Sequence, residues 1–347
     1  MDEGGFIFDT PDGEVELTLE EVKKMADDGD PNGLCALAKA YLYGWGVDED
    51  RDLGMSYLGK AVDAGHSEAK TIMVSMFLNH EYDGITAERA SQLAREAAED
   101  GISDAQLFAG LAYMDGIGVP EDVQTAAKYF RMAANQGNFE ARANLAYLYM
   151  NGIGVPKDEA KAFKMFRTAA KAGNVNACFH MGVCYEFGVG AKEDLKQALE
   201  WYRKASEMND ALAMERIGYL YLKGVEGDPE PETAFEWLIQ SANMGVPSAM
   251  MAVGDMYLTG NGVEKNEEEA VKWVKMASTA GVEEADEFLA KYNSSPHGTL
   301  RSRRFHILLD QVEQGAHALL RHDAVERVLP DLFHHYQPRI LQHAKVV

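Results

Sequence analysis

The 347-residue chain is poor in cysteine, short of positive charge and without a long apolar run. Cys35, Cys178 and Cys184 are an odd number with no pairing rhythm. A disulfide-stapled chain of this kind would carry a pair in every repeating segment, so the thiols read as free, in a reducing compartment. Lys and Arg number 33 against 56 Asp and Glu, a formal net charge of −23. That balance argues against a nucleic-acid binder, which needs a basic stripe to neutralise phosphates, and against anionic lipid. It favours cationic partners. No apolar segment approaches the length of a membrane span. The first residues, MDEGGFIFD, have neither the basic start nor the apolar core of a secretory leader, so a cytoplasmic protein is expected.

What the chain does contain is a period. In residues 141–154, ARANLAYLYMNGIG, the spacing of Ala141, Leu145 and Tyr149 puts them on one helix face, and Gly152 and Gly154 end the helix. The face returns every 36 residues. Its first position runs Gly33, Ala69, Ala105, Ala141, Ala177, Ala213, Ala249 and Ala285. Its aromatic position runs Tyr41, Phe77, Tyr113, Tyr149, Tyr185, Tyr221 and Tyr257. A fixed period over this length means a stacked array in which each unit buries its core against its neighbours.

Seven units are expected, beginning near 33, 69, 105, 141, 177, 213 and 249, with a closing half unit over 285–293. Each first helix carries a small residue after its aliphatic position: Ala38, Val74, Gly110, Ala146, Gly182, Gly218 and Gly254. Mid-helix Gly costs about 1 kcal/mol relative to Ala, so close packing must compensate. Each second helix repeats a small residue, from Gly54 and Ala90 to Ala234 and Ala270. Three residues later come Tyr57, Leu93, Tyr129, Met165, Trp201, Trp237 and Trp273, read here as knobs that fill holes left by the alanines. Gly65, Gly101, Gly137, Gly173, Gly245 and Gly281 end the second helices, with Asn209 in the remaining turn. Ahead of the array, residues 5–17 alternate around Thr10-Pro11-Asp12-Gly13 as a small hairpin. Thr18 and Glu21 form a capping box for a helix ending at Gly29, so residues 1–32 read as a cap.

QLFAGLAYMDGIGVP, ANLAYLYMNGIGVP and AVGDMYLTGNGV follow the form A-x3-L-G-x2-Y-x2-G-x-G-V, with K-A-x2-W-x2-K-A-A-x2-G in the following helix. This pattern resembles the Sel-one-like repeat (SLR) family, kin of the tetratricopeptide repeats, over residues 33–281. Two units depart from it: Asn79-His80-Glu81 replaces the glycine loop of the second, and Gly224-Val225-Glu226-Gly227 spreads that of the sixth. The resemblance implies an all-α, right-handed α-solenoid superhelix of helix-turn-helix repeats. It also implies a non-enzymatic scaffold or adaptor that binds a protein or peptide on its concave face. The rival implication is a hydrolase of β-lactams, as described for cysteine-rich relatives, whose regular disulfide pairs are missing here.

If the first helices line that concave face, offsets of two, three, six and ten from each unit start face the groove. They give Asn144, Tyr147 and Asn151, then Phe179, His180, Val183 and Phe187, then Glu215, Arg216 and Tyr219. Large apolar groups mixed with amide and charged groups suit a peptide. The alternative is that neighbouring first helices cover these side chains. Gly116-Ile117-Gly118 and its equivalents join two helices, so they read as turns rather than phosphate cradles. His180 and Cys184 share a helix face, but no second ligand pair accompanies them, and no catalytic, cofactor or metal site is expected. Residues 294–347 break the pattern. They hold seven of the ten histidines and seven basic against five acidic residues, with Arg301, Arg303 and Arg304 grouped after a linker. This helical tail could bind metal adventitiously, have a separate origin, or dock on the acidic array.

Overall fold

A computed structural model of the chain describes residues 6–10 and 13–294. The turn residues Pro11 and Asp12 and the expected tail from Ser295 onward, with its seven histidines, lie outside the described residues.

The chain divides into two compact units between Ala141 and Arg142. In the first, β1 (Phe6–Thr10) pairs antiparallel with β2 (Gly13–Leu17), Phe6 opposite Leu17. Next comes α1 (Leu19–Asp27), capped as the sequence predicts. The Thr18 N–H donates to Glu21 Oε2 at 2.8 Å, and the Glu21 N–H to Thr18 Oγ1 at 3.4 Å. Three helix pairs follow: α2 (Pro31–Tyr43) with α3 (Arg51–Asp63), α4 (Ser67–Leu78) with α5 (Ala87–Glu99), and α6 (Ser103–Asp115) with α7 (Val123–Asn135). The boundary falls inside α8 (Phe139–Asn151). The second unit continues with α9 (Glu159–Lys171), then α10 (Val175–Phe187) with α11 (Leu195–Ser206) and α12 (Ala211–Leu222) with α13 (Pro231–Asn243). It ends with α14 (Pro247–Thr259), α15 (Glu267–Thr279) and α16 (Glu283–Ser294). Each unit is thus a stack of helix-turn-helix repeats, and among the described residues the fold is all-helical apart from the hairpin.

First helices begin two residues ahead of the repeating alanine, because that residue sits third in the helix, where its N–H meets the cap. The Ala141, Ala177 and Ala213 N–H groups donate to Asn138, Asn174 and Asp210 at 2.7–2.8 Å. The turn inside each repeat closes on the aromatic position. The Asp122, Asp158 and Asp194 N–H groups donate to the carbonyls of Tyr113, Tyr149 and Tyr185, each at 2.8 Å. The second repeat lacks the glycine loop and still forms its helix pair, with His80 taking the left-handed conformation at φ 56°.

In five of the seven repeats the knob is one residue later than expected, while Leu93 and Trp273 are buried at the expected position. Tyr57, Tyr129, Met165, Trp201 and Trp237 are only half-buried. Leu58, Phe130, Phe166, Tyr202, Leu238 and Val274 have no exposed surface, whereas Leu93 is fully buried beside Ala94 in the second repeat. The reason is the partner helix. A Cβ on Gly110 would lie 2.5 Å from the Phe130 ring, one on Gly182 2.4 Å from the Tyr202 ring, and one on Gly218 2.6 Å from Leu238. The mid-helix glycine is the hole, and the residue four after the second-helix alanine is what fills it.

Two glycine substitutions test this packing. Gly182→Ala gains helix propensity but drives a methyl into the Tyr202 ring, so we expect a net loss of about 1–3 kcal/mol, typical of overpacking. Gly59→Ala, in α3 with nothing within 4 Å of its Cβ, should stabilise by about 0.5–1 kcal/mol. Denaturant titration of both variants reads the two signs, and a stabilised Gly182→Ala would remove the close contact from the account.

Candidate functional site

Offsets two, three, six and ten recur on the first helices, and in the second unit their polarity changes. The offset-three row runs Ala36, Ile72 and Phe108, then Asn144, His180 and Arg216, then Ala252. Three consecutive repeats therefore place an amide, an imidazole and a guanidinium where the others have apolar side chains. Seven of the ten candidate residues are buried: Asn144, Phe179, His180, Val183, Glu215, Arg216 and Tyr219. Tyr147, Asn151 and Phe187 are half-buried.

The structure gathers these residues into two clusters. In the first, His180 stacks on Phe166 with ring centroids 4.8 Å apart, and Phe179 and Tyr147 lie 5.4 and 5.7 Å from it. Burial pushes the His180 pKa down to about 4 and the Tyr147 hydroxyl up to about 12. His180 Nδ1 and Asn144 Nδ2 are buried without a hydrogen-bond partner. Asn151 is turned inward, its Nδ2 donating to the Tyr147 carbonyl at 3.1 Å.

The second cluster centres on Glu186, which the sequence reading missed. Its carboxylate accepts from the Tyr202 hydroxyl at 2.9 Å and from Arg216 Nε at 3.2 Å, and Arg216 Nη2 bonds the other oxygen. The Arg216 guanidinium also lies 5.6 Å from the centre of the Phe187 ring and 5.5 Å from that of Tyr219. Burial is the largest single influence and opposes its charge, but Glu186, Tyr202 and Glu215 together outweigh it and hold the Arg216 pKa above its usual value. The signal was present in the row Leu42, Leu78, Met114, Met150, Glu186, Leu222 and Leu258, where one acid interrupts six apolar residues. Asp255, buried one repeat after Tyr219, was also missed.

Two further groups lie in the first unit. Cys35, His66 and Glu68 bring a ligand atom each within 4.8 Å of one another. All three are engaged. His66 Nδ1 accepts the Ala69 N–H at 3.2 Å, which leaves the proton on Nε2, facing Asn32 Oδ1 at 3.2 Å. Glu68 holds Lys39 at 2.9 Å, and burial pushes the Cys35 thiol up to about 12. The arrangement is a helix cap tied to its neighbour. Asp115 closes α6 with both carboxylate oxygens unbonded. Its pKa is pushed up to about 7 by burial and then by Glu121.

His180 yields a pH prediction. Below the ordinary imidazole value of 6.5 the unfolded chain takes up a proton, while the folded site refuses it down to about 4. Its contribution is therefore complete above pH 6.5 and is lost as pH falls toward 4. His180→Phe, which cannot titrate, should gain up to about 3 kcal/mol on the native chain across that window. Parallel stability-pH curves for the two proteins would show that His180 titrates normally.

With the geometry in place, the chain can be set beside known proteins. Curated proteins give no match. Among solved structures, c5321, a protective antigen of uropathogenic Escherichia coli with an SLR fold, is 28% identical with a TM-score of 0.61. That match covers 88% of this chain and 66% of c5321, so the chain spans just under two thirds of that protein. A Sel1 repeat protein from Oxalobacter formigenes is 26% identical, with a TM-score of 0.61 and 79% of each chain covered. The Sel1 repeat family model matches residues 31–66, 103–138, 139–174, 175–210, 211–246 and 247–282. Six matches in register with the helix pairs, passing over the loop-variant repeat at 67–102, place this chain in the Sel1 repeat family.

Proposed function

We propose that the chain is a non-catalytic scaffold that binds a peptide or protein segment along the first-helix face of its second unit. The observation that carries this reading is the row Asn144, His180 and Arg216, with Asn144 Nδ2 and His180 Nδ1 left without partners. Desolvating a polar atom without a bond costs about 1–3 kcal/mol, a cost that core packing alone gives no reason to carry in consecutive repeats. Half-buried Tyr147 and Phe187 supply apolar contact beside it. The hydrolase reading has no support from the thiols. Burial raises Cys178 to about 11 and Cys35 and Cys184 to about 12, which keeps them protonated and poorly nucleophilic. Three free thiols also favour a reducing compartment, the cytoplasm.

The charge of −23 favours a basic partner, and the chain carries one basic candidate itself. Residues 294–347 have a net charge of +2 against −25 for residues 1–293. Tethering gives such a segment an effective concentration on the order of millimolar, so weak intrinsic contacts suffice for docking.

Peptides selected from a random displayed library against the full chain test the face. Tyr147→Ala and Phe187→Ala should each weaken the selected peptides about tenfold with little change in melting temperature, as expected for contact anchors outside the core. Selected peptides indifferent to both substitutions would place binding elsewhere. Replacing Arg301, Arg303 and Arg304 together with Gln should tighten the same peptides, most strongly at low salt where the tail competes best. Unchanged affinity and salt response would remove the tail as a competitor.

A further inference from the structure

We propose that Cys35, His66 and Glu68 form a binding site for a divalent cation of the zinc class, which ties α2 to the start of α4 and so joins the first repeat to the second.

The three side chains come from two helices. Cys35 lies on α2, His66 is the N-cap of α4, and Glu68 stands in the first turn of α4. One ligand atom from each lies within 4.8 Å of the other two. In a four-coordinate zinc site the sulfur, nitrogen and oxygen ligands stand about 3.3–3.6 Å apart, so side-chain shifts of about 1 Å close the set. Cys35 Sγ and Glu68 Oε2 are already at 3.9 Å, and the other carboxylate oxygen holds Lys39 at 2.9 Å. Water or Asn32 Oδ1, which lies 3.2 Å from His66 Nε2, can take the fourth position. His66 and Glu68 are half-buried and Asn32 is exposed, so an ion enters from solvent, with buried Cys35 closing the back of the site.

The repeat does not call for these residues. The cap position of other first helices carries Asp30, Asn138, Asn174 and Asp210, and Asp and Asn are the preferred caps. The position of Cys35 carries Thr71, Leu107, Ala143 and Phe179 in the next four repeats. Neither capping nor packing therefore accounts for an imidazole and a thiol meeting at this joint.

The donor set selects the ion. Magnesium and calcium take oxygen ligands, whereas thiolate with imidazole and carboxylate suits zinc. Burial, and then the Glu68 carboxylate, push the Cys35 thiol up to about 12, so only an ion that bonds sulfur strongly displaces its proton. Burial also lowers the His66 pKa, which keeps the imidazole neutral and a lone pair available. On binding, the Cys35 S–H bond breaks, its proton leaves to solvent, and a sulfur–metal bond forms. His66 and Glu68 bind as neutral imidazole and carboxylate, so one proton is released per ion. His66 gives up the Ala69 N–H that it accepts at 3.2 Å, while Lys39 stays on the outer carboxylate oxygen and orients it.

The test titrates the full chain, reduced and stripped with a chelator, with Co2+ alone as the spectroscopic stand-in for zinc. We expect a thiolate-to-cobalt charge-transfer band in the near ultraviolet and the strong visible bands of four-coordination. Zn2+ should bleach both and raise the melting temperature. Cys35→Ala and His66→Asn install residues that other repeats carry at these positions, Ala143 and Asn138, and circular dichroism checks that both variants fold. Cys35→Ala should lose the charge-transfer band, and His66→Asn and Glu68→Gln should each weaken Co2+ at least about tenfold. Absence of the band in the native chain would overturn the site and leave only nitrogen and oxygen ligands elsewhere. A band that persists in Cys35→Ala would overturn it in favour of another thiol. A band lost in Cys35→Ala but indifferent to both His66→Asn and Glu68→Gln would overturn it as binding to a single thiolate.

Discussion

The structure depends on how closely two helices of one repeat approach each other. At Gly182 the backbone of α10 lies against the Tyr202 ring so tightly that a single added methyl would sit 2.4 Å from it. The same contact recurs at Gly110 with Phe130 and at Gly218 with Leu238. Most of the array follows from that approach. It sets the spacing of each pair and gives every second helix one fully buried residue. It also leaves the neighbouring position, occupied by Trp201 and Trp237, half outside the core. In the second repeat the sizes are inverted, with Val74 on the first helix and Ala94 on the second, as conservation of volume across the contact requires.

Within that frame the second unit departs from an apolar core in a concentrated way. Asn144, His180 and Arg216 occupy one row, Glu186 interrupts another, and Asp255 sits one repeat beyond Tyr219. Buried charges are tolerated when paired and hydrogen-bonded, and Glu186 meets both conditions through Arg216 and Tyr202. His180 meets neither and remains neutral at ordinary pH through burial. The two clusters thus differ in character. The Glu186–Arg216–Tyr202 network is internally satisfied, whereas His180 and Asn144 hold buried polar atoms without hydrogen-bond partners.

Much of this was legible from the period. The cap at Thr18 and Glu21, the ends at Gly65 to Gly281 with Asn209, and the helix pairs all sit where the repeats put them. The knob was misread because a large aromatic at Trp237 looks more like core than Leu238 does. Only the glycine facing it on the other helix decides between the two. Glu186 was missed for a related reason. An acid on a helix reads as solvated unless its row is compared across all repeats, and its partners lie 16 and 30 residues away in sequence.

The Glu186 cluster bears on how the array can be taken apart. Glu186 and Tyr202 belong to the repeat at 175–210, while Arg216 belongs to the repeat at 211–246. Consensus repeat arrays are attractive because any unit can be moved, duplicated or deleted as an independent module. Here that modularity is broken at one joint. Transplanting 175–210 alone would carry a buried carboxylate into a neighbour with Ala or Phe in the arginine position, and transplanting 211–246 alone would strand the guanidinium. The smallest portable piece of this stretch is a 72-residue tandem, about twice the family's period, and any lineage that shuffled its repeats would have had to move the two together.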